Sequence, residues 1–167
     1  MHEHRARAPR SIGCAVITVS DTRTLADDSG GALLCELLEG GGHRIALREI
    51  VKDESKAIRA ALEAALARAD CAAVLLTGGT GVAARDVTPE AVAPLLERSL
   101  PGFGELFRAL SFAEIGAAAL LSRALAGLAQ GKPVFALPGS RAAIRLALER
   151  LILPELGHLV GEGKKAL

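Results

Sequence analysis

Leu75-Leu76-Thr77-Gly78-Gly79-Thr80-Gly81, continued by Val82-Ala83-Ala84-Arg85-Asp86-Val87-Thr88-Pro89-Glu90, is the stretch on which the fold turns. The apolar run Ala72 to Leu76 reads as a buried parallel strand. It stops at Gly78, Gly79 and Gly81, where a backbone without Cβ takes positive φ and lets a ligand come close. Thr88-Pro89-Glu90 has the form of a helix start: Thr as N-cap, Pro at the first helical position, Glu in the first turn. A loop rich in N–H donors thus joins a strand end to a helix start, which suits an anionic ligand. A plain βα turn would leave Arg85 and Asp86 without a turn-forming role.

Two nucleotide motifs are tested at this loop. The P-loop pattern G-x-x-x-x-G-K-[ST] is absent. Gly79-Thr80-Gly81-Val82-Ala83-Ala84 fits the dinucleotide pattern G-x-G-x-x-G/A, but weakly. Thr88-Pro89 starts the helix too late, and about 20 positions on Gly102-Phe103-Gly104-Glu105 closes no strand.

Upstream, Ile12 to Val19 reads as the first strand, ending at Ser20-Asp21-Thr22-Arg23. Asp27-Asp28-Ser29-Gly30-Gly31 signals a helix start, Ala32 to Leu38 supplies the helix, and Gly40-Gly41-Gly42 ends it. One of Asp27 and Asp28 is expected to be a cap. Arg44 to Val51 is the second strand. Asp53 is either the N-cap of the next helix or an acid held for chemistry. That helix shows Ile58, Ala61, Leu62, Ala65 and Leu66 on one face.

Downstream, Ala91 to Leu96 reads as a short helix broken by Leu100-Pro101-Gly102. Glu105 to Glu114 and Ala117 to Ala126 read as two helices split at Gly116, the second either buried or at a subunit interface. Ser122 and Arg123 are the polar residues in that apolar run, and one of them is expected to face a ligand. Lys132 to Leu137 is the last strand, followed by Pro138-Gly139-Ser140, with Ser140 as N-cap of Ala142 to Leu151. Leu153-Pro154-Glu155 opens a final short helix.

This alternation predicts a single α/β domain of three layers, with a mostly parallel sheet and helices on both faces. Residues 11–162 form the domain, between a flexible start at 1–10 and a tail at 163–167. Right-handed crossovers bring the βα loops to one edge of the sheet. Ser20 to Gly30, Asp53, Gly78 to Asp86 and Pro138 to Ser140 then converge at strand carboxyl ends, where open α/β sheets bind ligands. Helix starts offer N–H groups to phosphates, and Asp53 and Asp86 offer the oxygen ligands that Mg²⁺ prefers.

Composition narrows the function. Half of the residues are hydrophobic but aromatics make up 2%, with no Trp or Tyr, so the core is aliphatic. That argues against a base-stacking platform, and a net charge of +1 argues against nucleic acid or acidic membranes as partners. Cys14, Cys35 and Cys71 lie in apolar runs without C-x-x-C spacing and read as buried hydrophobes in a reducing compartment. His2, His4, His43 and His158 make no ligand set. The polar start has no signal-peptide core and no apolar run is long enough to span a membrane, so a cytoplasmic protein is expected.

At Thr18-Val19-Ser20-Asp21, Asp28-Ser29-Gly30, Thr77 to Gly81, Arg85-Asp86-Val87-Thr88-Pro89-Glu90 and Leu137-Pro138-Gly139-Ser140, the chain resembles the MoaB/MogA family of molybdenum cofactor biosynthesis proteins. The likeness covers about residues 10 to 160. Pro101 to Arg108, Leu110-Ser111-Phe112, Ile115-Gly116 and Ser122-Arg123-Ala124 are similar to the MoaB branch. The resemblance implies Mg²⁺- and ATP-dependent adenylylation of molybdopterin with release of pyrophosphate. Some MoaB proteins depart from the Arg-Asp-x-Thr-Pro form and are thought inactive; this chain keeps Arg85, Asp86, Thr88 and Pro89, implying an active enzyme. By the same resemblance, Asp53 and Asp86 take the catalytic and Mg²⁺ roles. Gly78, Gly79, Thr80 and Gly81 cradle the pterin phosphate or dithiolene side. Ser20, Asp21, Gly139 and Ser140 line the opposite wall, Ser29, Gly30, Thr77 and Pro138 are further ligand-binding residues, and Glu105 and Ser122 contact the pterin ring. A trimer, or a hexamer of two trimers, and contact with other enzymes of the pathway are also implied. Two readings from other classes stand beside it: a non-catalytic molybdopterin carrier, and a nucleotide-binding α/β regulator.

Overall fold

The computed structural model describes residues 11–165. The expected flexible start, with His2 and His4, lies outside the described residues. The elements are β1 (Gly13–Val19), α1 (Ser29–Gly40), β2 (Arg44–Val51), α2 (Ser55–Ala67), β3 (Ala73–Thr77), α3 (Thr88–Val92), β4 (Arg98–Ser99), α4 (Pro101–Ile115), β5 (Leu125–Ala129), β6 (Lys132–Leu137), α5 (Arg141–Ala147) and α6 (Leu153–Lys165). The six strands form one sheet in the order β2-β1-β3-β6-β5-β4. The first four run parallel, and β5 and β4 are antiparallel additions at one edge. Helices cover both faces, as expected.

Strand alternation divides the core in two. Cys14 and Val16 of β1, Ala73 and Leu75 of β3, and Phe135 and Leu137 of β6 face α1, α4, α5 and α6. Ala15, Ile17, Val74, Leu76 and Val134 face Ile58, Leu62 and Leu66 of α2 and Ala91 and Val92 of α3. Both faces being covered, the inner strands read as continuous apolar runs. Phe103 stacks on Phe107 and meets Phe135 edge-on, so three of the few aromatic rings serve packing. Cys14 and Cys71 are buried in this core, and burial pushes the Cys14 thiol up to about 12.

The structure corrects the reading of the chain past Gly116. Gly116 ends α4 at φ +64°, a six-residue 3₁₀ turn (Gly116–Leu121) follows, and the chain then enters β5. Ala117 to Ala126 is therefore no helix. Alanine and leucine carry a helical bias, but pairing of Leu125 to Ala129 with β6 overrides it. The hairpin between β5 and β6 turns on Gln130 and Gly131, both at positive φ, the requirement of a tight I′-type turn. Gln130 is an unusual residue there and concealed the signal. The two-residue β4 was also unread.

Thr88 is not the cap of α3. Val87 holds the N-cap position without a side-chain bond, and the Thr88 hydroxyl donates to the Gly78 carbonyl at 2.9 Å. α3 is five residues, continued by a 3₁₀ turn at Ala93–Leu95 instead of reaching Leu96 as α-helix. At the other end, α5 passes through a π turn (Leu148–Ile152) directly into α6. The last helix is thus thirteen residues long and carries 163–165, which the sequence reading assigned to a tail.

Candidate functional site

The carboxyl ends of β1, β3 and β6 meet the start of α1 around a cavity of about 140 Å³ lined by Thr18, Ser20, Arg23, Asp28, Ser29, Gly30, Thr77, Gly78 and Gly139. Three backbones approach closely there. A Cβ on Gly139 would sit 3.6 Å from the Gly78 Cα, and one on Gly30 would sit 3.4 Å from the Gly139 carbonyl. Gly78 itself is at φ +103°. At Gly78 an added Cβ would fall 2.3 Å from the Val19 carbonyl, so no side chain fits there, and the space left for a small ligand is flanked by hydroxyls, a helix start and a guanidinium, a set suited to an anion.

The floor of this cavity is fixed by Asp28. It is 4% exposed and caps α1, its Oδ1 accepting from the Gly31 amide at 2.9 Å. Its Oδ2 accepts from the Thr18 hydroxyl at 2.8 Å and pairs with Arg48 at 3.5 Å. Asp27 instead closes the preceding turn, accepting from the Thr24 amide at 2.6 Å. The Ser20 hydroxyl accepts from the Arg23 amide at 3.1 Å, bending the chain so that Arg23 lines the cavity.

Beside the cavity stands an acidic corner. Asp53 does not cap α2, whose N-cap position is Glu54. Its carboxylate lies against Gly79, where an added Cβ would fall 3.0 Å from Oδ1 and 2.5 Å from the Thr88 hydroxyl. Gly79 is at φ +64°, so glycine is required twice over. Asp53 Oδ1 is buried and has no hydrogen-bond partner among the described residues. Burial raises the Asp53 carboxyl above its ordinary 3.8; the Val87 amide opposes this, and Asp86 and Asp21 add to it. Asp21 accepts from the Asp53 amide at 3.1 Å and from Arg85 Nε at 2.6 Å. That Arg85 bond holds the Asp21 carboxyl below the usual range. Asp86 caps no helix; its Oδ2 accepts from the Ala83 amide at 3.0 Å and folds the loop back on itself.

The remaining expected site residues divide. Ser29, Gly30, Thr77, Gly78 and Gly139 line the cavity with Ser20. Thr77 also donates to the Pro138 carbonyl at 3.0 Å, tying the two walls. Thr80 is buried, and Gly81 lies against the Asp86 carboxylate. Ser140 works as a cap, accepting from the Ala143 amide at 3.2 Å. The structure does not bring Glu105 or Ser122 to the cavity: Glu105 is exposed on α4, and Ser122 accepts from the Ala124 amide at 3.4 Å. Arg23 and Thr18 are part of the surroundings that sequence reasoning left without a role, and of the pair Ser122 and Arg123 it is Arg123 that reaches the glycine loop. A larger hollow of about 350 Å³ lies at the antiparallel edge, lined by Leu96, Leu100, Gly104, Arg108 and Ala124. Its lining includes the start of α4 but no positive-φ glycine and no carboxyl end of a parallel strand, so the smaller cavity is the better candidate.

A doubly covered sheet with a glycine cradle and an acidic corner at its carboxyl edge defines a class of anion-binding α/β domain. Residues 15–158 match the model of a family described as "Probable molybdopterin binding domain". The Molybdenum cofactor biosynthesis protein B of Halalkalibacterium halodurans is 52% identical over 163 residues, covering 97% of this chain and 96% of that protein. A crystal structure of a Molybdenum cofactor biosynthesis protein B superposes with TM-score 0.92 at 49% identity, covering 95% of this chain and 99% of that one. The tungsten cofactor synthesizing protein MoaB from Pyrococcus furiosus gives 0.83 at 37% identity, covering 94% and 99%. The chain belongs to the MoaB/MogA family of molybdenum cofactor biosynthesis proteins, similar to its MoaB members.

Proposed function

We propose that the chain binds molybdopterin at this edge and transfers AMP to it from Mg-ATP. The observation that carries the reading is Asp53: a buried carboxylate oxygen with no partner among the described residues, set against a glycine that excludes side chains. A buried polar atom left unpaired is destabilising, and a ligand that completes its bonding explains why it is retained. Asp53 and Asp86 fit Mg²⁺, which commonly takes one or two carboxylates and leaves the rest of its shell to substrate phosphates and water. When bound, the ion would neutralise charge on the triphosphate.

The chain's own residues supply binding and orientation. Ser20, Ser29, Arg23 and the α1 start would hold one anionic group, and the loop Gly78 to Gly81 the other. A terminal phosphate oxygen of molybdopterin attacks the α-phosphorus of ATP. A new P–O bond forms, the bond from that phosphorus to the β-bridging oxygen breaks, and pyrophosphate leaves with its electron pair. The nucleophile is already an anion, so no strong base is needed, and catalysis rests on positioning and electrostatics.

Incubation of the protein with ATP, Mg²⁺ and molybdopterin tests this. Adenylylated pterin found by mass, with matching pyrophosphate, is expected. Tight pterin binding without pyrophosphate would assign a carrier role instead. Binding of a nucleotide without pterin would point to a regulator.

The assembly expected from the resemblance, a trimer or a hexamer, belongs to the same proposal. Phe112, Ile115, Leu120 and Leu121 are exposed together on α4 and the turn after it, Leu120 being 84% exposed. An apolar patch of this kind marks an interaction surface.

A further inference from the structure

Arg123 lies between the turn Gly116–Leu121 and β5, so its backbone is held between two fixed elements. Its side chain reaches the glycine loop from outside. Nε donates to the Gly81 carbonyl at 2.7 Å and Nη2 to the Asp86 carbonyl at 2.7 Å. Nη1 pairs with Glu90 of α3. The Arg123 backbone amide donates to the Thr80 carbonyl at 2.9 Å. One residue therefore collects three carbonyls from a loop whose glycines bring no side chains to pack it.

The geometry of the peptide unit carries this contact across the loop. The C=O of one residue and the N–H of the next lie in one plane and point in opposite directions. With the Thr80, Gly81 and Asp86 carbonyls drawn to Arg123, the Gly81, Val82 and Val87 amides are turned away from it. Asp53 stands against the same loop at Gly79, and the Val87 amide favours its ionised form.

We infer that Arg123 is the positioning residue of the site: its guanidinium and backbone amide orient the peptides of the glycine loop against which Asp53 stands. The consequence for turnover rests on the function proposed above; the consequence for the loop does not. The planar fork of arginine reaches several acceptors in fixed directions, whereas lysine offers a single point charge.

The test compares wild type with Arg123→Gln, Arg123→Lys and a surface control, Arg145→Gln, whose exposed partner is Glu149 in the π turn after α5. Hydrogen exchange across residues 79–88 is read beside kcat and KM for pyrophosphate release, all well below the melting temperature. Loss of charged hydrogen bonds predicts loop exchange ~10-fold to ~10²-fold faster and a kcat lower by a similar factor in Arg123→Gln, with β1 and β3 exchange unchanged. Arg123→Lys should recover melting temperature more fully than loop protection or kcat, and Arg145→Gln should match wild type. If Arg123→Gln fails to fold, Arg123→Lys carries both readouts. Unchanged loop exchange overturns the inference; so does faster exchange with unchanged kcat and KM. A wild type that neither binds pterin nor releases pyrophosphate sinks the proposed function, and loop exchange then decides on Arg123 alone.

Discussion

Burial at the strand edge disfavours the charged form of Asp53. Burial raises its carboxyl, so the folded chain binds its proton more tightly than the unfolded chain. By linkage, stability associated with that proton is present below the ordinary value of 3.8 and is lost as pH rises through the raised folded value. Asp53→Asn removes that ionisation, so its melting temperature should gain on wild type as pH rises from about 3.8 toward neutrality. Turnover should fall ~10²-fold or more, the scale of one lost electrostatic group. Calorimetry across pH beside pyrophosphate release checks both signs; a variant less stable at neutral pH would show that Asp53 serves the fold. Asp86→Asn keeps an oxygen for the Ala83 amide, so its melting temperature should hold while turnover drops. Equal turnover in both variants and wild type would favour the carrier. Gly79→Val carries a double penalty: about 1–2 kcal/mol for left-handed backbone plus a clash with Thr88 and Asp53. Its pterin affinity should vanish and its melting temperature fall; wild-type affinity in the folded variant would remove the loop from the site.

At the scale of elements, the site depends on how α1 is anchored. Asp28 is its N-cap, the acceptor of Thr18 on β1 and the partner of Arg48 on β2. Asp28→Ala should cost about 1–3 kcal/mol, since it removes a cap and leaves buried donors unpaired. Denaturant melting gives the stability loss, and inorganic phosphate titration should show weaker anion binding because Ser29 and Gly30 lose their register. Full phosphate affinity in a destabilised Asp28→Ala would separate the cap from the cavity. The caps were partly legible: Ser140 and one of the Asp27-Asp28 pair act as expected. Thr88 was misread because a threonine before proline fits a cap pattern, whereas its hydroxyl is captured by a carbonyl 10 residues earlier in the glycine turn. The segment after Gly116 was misread for a related reason. Its strand is defined by pairing with β6, and alanine-rich composition carries no period-2 signal.

For the whole molecule, the exposed side chains of Phe112, Ile115, Leu120 and Leu121 bear on assembly. Light scattering at micromolar concentration should report a multiple of the 17.2 kDa chain, with a trimer or hexamer expected from the family resemblance. Leu120→Glu with Phe112→Glu should shift the particle toward 17.2 kDa without unfolding it, because neither residue belongs to the buried core. A wild-type particle of single-chain mass would remove the assembly proposal.

The sequence by itself determined the parallel core of the sheet, the strand that ends at Thr77, the glycine cradle and the acids beside it. These are readable because they are local: apolar runs bounded by glycine, and turns that glycine alone tolerates. Only the tertiary structure decided that Asp53 keeps one buried oxygen without a partner among the described residues and is not a cap, and that Arg123 grips the loop from the segment before β5. It also decided that Glu105 and Ser122 stay outside the cavity. Those facts rest on which groups meet after chain segments far apart in sequence have packed, and no spacing along the chain encodes that meeting.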